Sequence, residues 1–231
     1  MTADAPGTDR TAHAVTTGAD HSGPAERTAA GTDRGHSPAL ATPAPLAWLY
    51  VIGAFIGLVA SMTLTVEKFE LAEDASYVPT CSFGESFTCG SVMISEQAAA
   101  FGIPNPLLGI AGFAVVMAIG VIMLTGAALP RWFRTAFVIG LGLAAIFCLW
   151  LAYHAVYNIH ALCIYCMAVW AVTLTMFWFA FLRFMGDAAD RSPDSGLARV
   201  HATLDMLRFP ILIAVIVLIA ALIIIEFGFF F

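Results

Sequence analysis

Polar positions along this chain are bunched, and the stretches between them are almost free of charge. Five apolar runs result, at residues 46–66, 106–129, 132–153, 162–184 and 209–231. Each matches the roughly 20 residues that an α-helix needs to cross a bilayer, so the pattern predicts an all-α integral membrane protein with five spans. Residues 1–44 differ. Ala, Thr, Gly, Pro and Asp dominate there and aliphatic periodicity is missing, the composition of a disordered tail. No apolar core precedes Leu46, and the first run is long enough to span, so it reads as a retained anchor and not a cleaved signal peptide.

The segments between runs carry their own signals. Residues 67–105 form the longest loop. Within it, 91–101 has the spacing of a short helix, with Ser91 as a plausible N-cap. That helix is too short to span and would lie at the interface. Gly102 would end it, and Pro104 and Pro106 force an extended approach to the second run. Residues 186–208 form a polar loop containing Pro193 and Gly196, and its last part could be a short amphipathic helix. In the first run Gly53, Gly57, Ala60 and Ser61 have the spacing that lets membrane helices approach closely.

Composition and charge sharpen this picture. The chain is 60% hydrophobic and 11% charged, outside the range of soluble domains. Its formal charge of −6 comes mostly from the polar segments, and the scattered basic residues carry no nucleic-acid signature. With five spans, Arg10, Arg27, Arg34, Arg131, Arg134, Arg183, Arg191, Arg199 and Arg208 all fall on one side, nine of the ten Lys and Arg residues, and Lys68 falls alone on the other. The positive-inside rule then places the N-terminus in the cytoplasm and the C-terminus outside. In the 67–105 loop, Glu67, Glu70, Glu73, Asp74, Glu85 and Glu96 read as a solvated face.

The candidate chemistry is sulfur. Four of the five cysteines fall on the predicted outer side, where disulfides persist: Cys81 and Cys89 in the loop, and Cys163 and Cys166 at the start of the fourth run. Cys148, inside the third run, reads as a packing residue. Two thiols at i and i+3 share a helix face, and the unpaired N–H groups and positive dipole end of a helix start favour thiolate. Cys81 and Cys89, with Gly84 easing the turn, can close a small loop disulfide, although four cysteines allow three pairings. Two pairs in series form a relay, in which a mobile pair takes electrons from a soluble protein and a fixed pair passes them on by thiol–disulfide exchange. At membrane depth the abundant two-electron acceptor is a quinone. His154 and His160 admit a rival reading, a non-enzymatic metal or heme protein with Cys and His ligands. Asn105, at the boundary of the second run, either satisfies a loop end or donates to a ligand oxygen.

The residues Cys81…Cys89-Gly-Ser-Val-Met-Ile-Ser95, Phe101-Gly-Ile-Pro-Asn105 and Leu162-Cys163-Ile-Tyr-Cys166 together resemble the vitamin K epoxide reductase family in its bacterial form, over about residues 46–185. The resemblance implies a four-helix catalytic bundle around a quinone (residues 45–185), a cytoplasmic loop (186–208) and a fifth helix (209–231), with no fused thioredoxin-like domain. A separate DsbA-like thioredoxin-fold protein, secreted, would then be the redox partner. By the same resemblance Cys163 and Cys166 are the active-site pair, Cys166 nearest the quinone (menaquinone or ubiquinone). Cys163 would exchange with Cys89, and Cys81 would meet the partner. Ser95 and Asn105 match positions near the quinone, which turns the reading of Asn105 toward ligand contact. Trp170 stands where the animal enzymes have a tyrosine. An indole donates a hydrogen bond but supplies no phenol proton, which puts vitamin K epoxide in doubt as a substrate and leaves quinone reduction intact.

Overall fold

The computed structural model describes residues 44–74, 76–82, 87–191 and 196–228. The expected N-terminal tail, up to residue 43, and the Gly84 turn lie outside them. Five helices are long and apolar enough to cross a membrane: α1 (Ala44–Glu73), α3 (Asn105–Leu124), α4 (Arg131–His154, prolonged by a turn of π-helix, Ala155–Ile159), α5 (Ile164–Ala189) and α7 (Arg208–Gly228). The protein is thus a multi-pass membrane protein. Two shorter helices join them, α2 (Cys89–Ile94) and α6 (Gly196–Met206). Among the described residues no strand forms, only an isolated parallel bridge between Phe87 and Leu162.

The helices outrun the apolar pattern where polar residues find partners. Helix α1 continues to Glu73, past the predicted end at 66, so Glu67 and Glu70 belong to the helix and not to the loop. Glu67 is also buried, which corrects its reading as a solvated residue. Helix α5 reaches Ala189 because Asp187 is matched by Arg183 of the preceding turn of the same helix and by Arg134 of α4, at 2.7 and 2.6 Å. A charge paired in this way can sit in the bundle wall. Helix α3 stops at Leu124, short of the predicted end, where Gly126 adopts a φ of +76° that breaks the spiral.

The predicted helix at 91–101 is two pieces. Helix α2 starts at Cys89, its N-cap is Thr88 and not Ser91, and the Thr88 side chain accepts from the Ser91 N–H. Ser95 ends it with extended backbone, and a 3₁₀ turn, Glu96–Ala99, follows. The spacing of apolar residues missed the break because Ser95 Oγ donates back to Val92 O at 2.7 Å, a local bond that competes with the helix.

Helix α1 is the hub. It packs on α3 and α5, while α4 packs on α5. Tyr50, Ala54, Phe113, Val116, Met176 and Ala180 form the centre of this core. The small residues of α1 act as the spacing predicts. A methyl group at Gly57 would collide with the Phe113 ring, and one at Gly53 would press on the Met176 sulfur. Helices α3 and α4 scarcely touch each other. The space between them is a cavity of about 700 Å³, so the bundle is closed on three sides and split on the fourth.

Candidate active site

The site forms where the loop after α1, the turn after α4 and the start of α5 converge. The π-turn Ala155–Ile159 ends at His160, which takes a left-handed conformation (φ +52°, ψ +38°) rare for a non-glycine residue. The chain then runs through Ala161 and Leu162 to Cys163, the N-cap of α5. Leu162 pairs with Phe87 of the loop, two residues before Cys89. One backbone bridge therefore sets the loop cysteines beside the helix cysteines.

The sulfur geometry follows. Cys81 and Cys89 are joined in a disulfide, with Cα atoms 5.8 Å apart, while Cys163 and Cys166 are free thiols. The Sγ atoms of Cys163 and Cys89 lie 3.1 Å from each other. Cys163 Sγ also accepts a hydrogen bond from the Cys166 N–H at 3.4 Å. A hydrogen bond from the Cys166 thiol, helped by the N–H groups of Cys166 and Tyr165, holds the Cys163 thiol below its ordinary pKa, against the opposing effects of burial and the Glu67 carboxylate. The helix start thus favours the attacking form of sulfur at Cys163.

The remaining expected residues line the cavity. Ser95, Asn105, Cys166 and Trp170 all face it, and its walls are otherwise almost entirely apolar. Asn105 also serves as a loop tie: its Nδ2 donates to Gln97 O at 2.6 Å and its Oδ1 accepts from the Ala100 N–H at 3.2 Å. One amide hydrogen is left over for the cavity, since the group carries two. Both readings of Asn105 are therefore compatible with its position. An apolar cleft with a few convergent polar groups fits a lipid-soluble ring compound. Of the expected residues, the loop pair Cys81 and Cys89 does not line this cavity, and Cys163, which does, lies between it and Cys89 in the chain of sulfur contacts.

The histidines do not join the sulfurs. His154 Nδ1 pairs with Asn158 Nδ2 at 2.7 Å, and His160 Nε2 lies 3.7 Å from Glu226 of α7. The Sγ atoms of Cys81, Cys89 and Cys163 lie within 4.8 Å of one another, but two of these three are already bonded to each other.

Several residues escaped the sequence reading. Cys148 is a packing residue as expected, but it packs on Trp170 and Cys166 and forms part of the cavity wall. Glu67 lies between Leu64 and Leu71, on the face of α1 that meets the cysteines. The i, i+3, i+7 spacing of Leu64, Glu67 and Leu71 is the signal that could have found it. Nothing in the local pattern announces the Phe87–Leu162 bridge.

The sequence model of the vitamin K epoxide reductase family matches residues 48–181, from α1 through most of α5. No curated protein matches the chain.

Proposed function

The chain belongs to the vitamin K epoxide reductase family of quinone-linked membrane thiol–disulfide oxidoreductases, and on that premise we propose that it oxidises a secreted DsbA-like thioredoxin-fold protein and delivers the electrons to a quinone. The observation that carries the proposal is the 3.1 Å approach of Cys163 to Cys89, with Cys166 on the cavity side of the same helix turn.

The steps follow from exchange chemistry. A thiolate of the partner attacks Cys81, the Cys81–Cys89 bond breaks, and the partner's second thiol resolves the mixed disulfide. The partner leaves oxidised, and the loop pair is left as two thiols. Cys89 then attacks Cys163 of a Cys163–Cys166 disulfide and expels Cys166 as thiolate. Cys81 attacks Cys89, which restores the loop disulfide and leaves Cys163 and Cys166 reduced. The loop pair bonded and the inner pair free is the arrangement in the structure. A quinone in the cavity supplies a sink for two electrons and two protons. Cys166 faces that sink, and Cys163 closes on Cys166 to re-form the inner disulfide. Asn105 and Trp170 would orient the ring by donating hydrogen bonds, and Ser95, whose hydroxyl donates to Val92 O, would line its place. The acceptor is an isoprenoid quinone, menaquinone or ubiquinone, and the split between α3 and α4 gives its chain a way to the lipid. The sulfur end of the bundle faces the extracytoplasmic side, as supported by nine of ten basic residues at the other side.

Quinone consumption by the purified protein in lipid, driven by a reduced thioredoxin-fold protein, tests this reading. Cys166→Ala should abolish it with any reductant. Cys81→Ala should abolish transfer from the protein partner. Full activity in both variants would refute the scheme.

A further inference from the structure

The redox disulfide of the loop is out of reach in this structure. Cys81 is 1% and Cys89 0% exposed, yet the proposed function, on which this inference rests, requires a soluble protein to attack Cys81. Segment 76–82 must therefore move, and what holds it in place is visible. Glu67, itself 3% exposed, accepts hydrogen bonds from the Thr80 N–H at 3.0 and 3.2 Å, from the Thr80 hydroxyl, and from the Tyr77 hydroxyl at 3.3 Å. Thr80 is the residue before Cys81. Among the described residues, the other side-chain hydrogen bonds donated by this segment are local, from Ser76 to Asp74. The next residue of α1, Lys68, donates to Met93 O of α2 at 3.1 Å, on the far side of the disulfide.

We propose that Glu67 is a positioning residue that latches the Cys81 segment onto α1, so that its three hydrogen-bonded donor groups keep Cys89 against Cys163 and must be released before a partner reaches Cys81. A buried carboxylate costs much free energy unless donors satisfy it. Bonds to a charged acceptor are among the stronger hydrogen bonds in proteins. The latch therefore has two opposite effects on the relay. It favours the inner transfer, from loop to helix pair, and it disfavours the outer transfer, from partner to loop.

That opposition is the test. The full-length protein in lipid nanodiscs is mixed with a water-soluble phosphine, and reduction of Cys81–Cys89 is followed by quenched alkylation and mass mapping. Quinone reduction driven by the same phosphine is recorded in parallel. Glu67→Ala should reduce its loop disulfide roughly ten-fold faster or more, the change expected when one charged hydrogen bond is lost, while its quinone turnover falls. Glu67→Gln keeps a side-chain acceptor for Thr80 and should return both rates toward wild type. The double variant Tyr77→Phe, Thr80→Val removes donors from the loop side and should shift both rates as Glu67→Ala does. Unchanged disulfide reduction in folded Glu67→Ala, or a rise in both rates together, would overturn the latch. If Glu67→Ala fails to fold, the double variant decides by the same two rates. Failure of the wild-type protein to reduce quinone would instead strike the functional reading, because disulfide accessibility is measured without a quinone.

Discussion

Cys163 combines two properties that oppose each other elsewhere: it is almost fully buried, and its thiol is held below its ordinary pKa by the Cys166 thiol and the first N–H groups of α5. A lowered pKa keeps thiolate populated as pH falls, so exchange at Cys163 should persist below the usual thiol range and fail only when Cys163 itself is protonated. The Cys166→Ser and Cys166→Ala variants isolate this effect. Both strand Cys163 without its redox partner, so it can attack the loop disulfide and accumulate a trappable Cys89–Cys163 bond. Serine keeps a donor beside Cys163, and alanine does not. The midpoint of the pH profile for trapping should therefore be higher in Cys166→Ala than in Cys166→Ser. Coincident profiles would mean that the backbone N–H groups alone set the acidity. At this scale the sequence was informative about which thiols share a turn, since two cysteines at i and i+3 before an apolar run do so wherever that run is helical. It was uninformative about Glu67, whose burial depends on the segment folded over it.

Helix α7 lies outside the family match and outside the main core, yet its end reaches the active-site turn. Most of its length is exposed to lipid. Near its start, Trp178 Nε1 donates to Arg208 O at 2.9 Å. Near its end, Phe227 is buried against Val156 and Leu162, and Glu226 faces His160. Leu162 is the residue before Cys163 and is 0% exposed. Phe227→Ala should loosen the turn that carries Cys163. A buried Phe→Ala change costs about 3–5 kcal/mol in soluble cores, and the lower end applies where lipid can refill the gap. The expected outcome is a lower melting temperature and slower loop-to-helix exchange, with partner-to-loop exchange unchanged. An equal fall in both exchange rates would point to general unfolding. The apolar pattern predicted this helix and its approximate limits, but a helix apolar on every face between Arg208 and Glu226 gives no sign of which face touches the bundle.

For the molecule as a whole, the consequential feature is uneven packing. Helix α1 binds α3 and α5 through glycines that admit Phe113 and Met176, and α5 binds α4 with the Arg134–Asp187–Arg183 cluster at the end away from the sulfurs. Nothing of the kind joins α3 to α4, and the cavity lies there. Gly112 of α3 lines it, with no atom within 4 Å of where a Cβ would stand. Gly112→Phe should fit without strain and occupy space proposed for the acceptor. It should raise KM for quinone on the order of ten-fold, in keeping with the effect of steric change in apolar pockets, and leave phosphine reduction of Cys81–Cys89 unaffected. A KM equal to that of wild type would place the quinone elsewhere.

The sequence by itself determined the five spans, the expectation that basic residues sort to one side, and the presence of two thiol pairs, one in a loop and one at a helix start. Each of these depends on local composition or on neighbours within a turn, and such properties do not require the rest of the chain to be in place. Only the tertiary structure decided which sulfur faces which, because residues 74 positions apart meet through the Phe87–Leu162 bridge and the left-handed turn at His160. The burial of the loop disulfide, the donors gathered around Glu67, and the split between α3 and α4 belong to the same class. They depend on how separate helices share space, and a linear pattern holds no record of that.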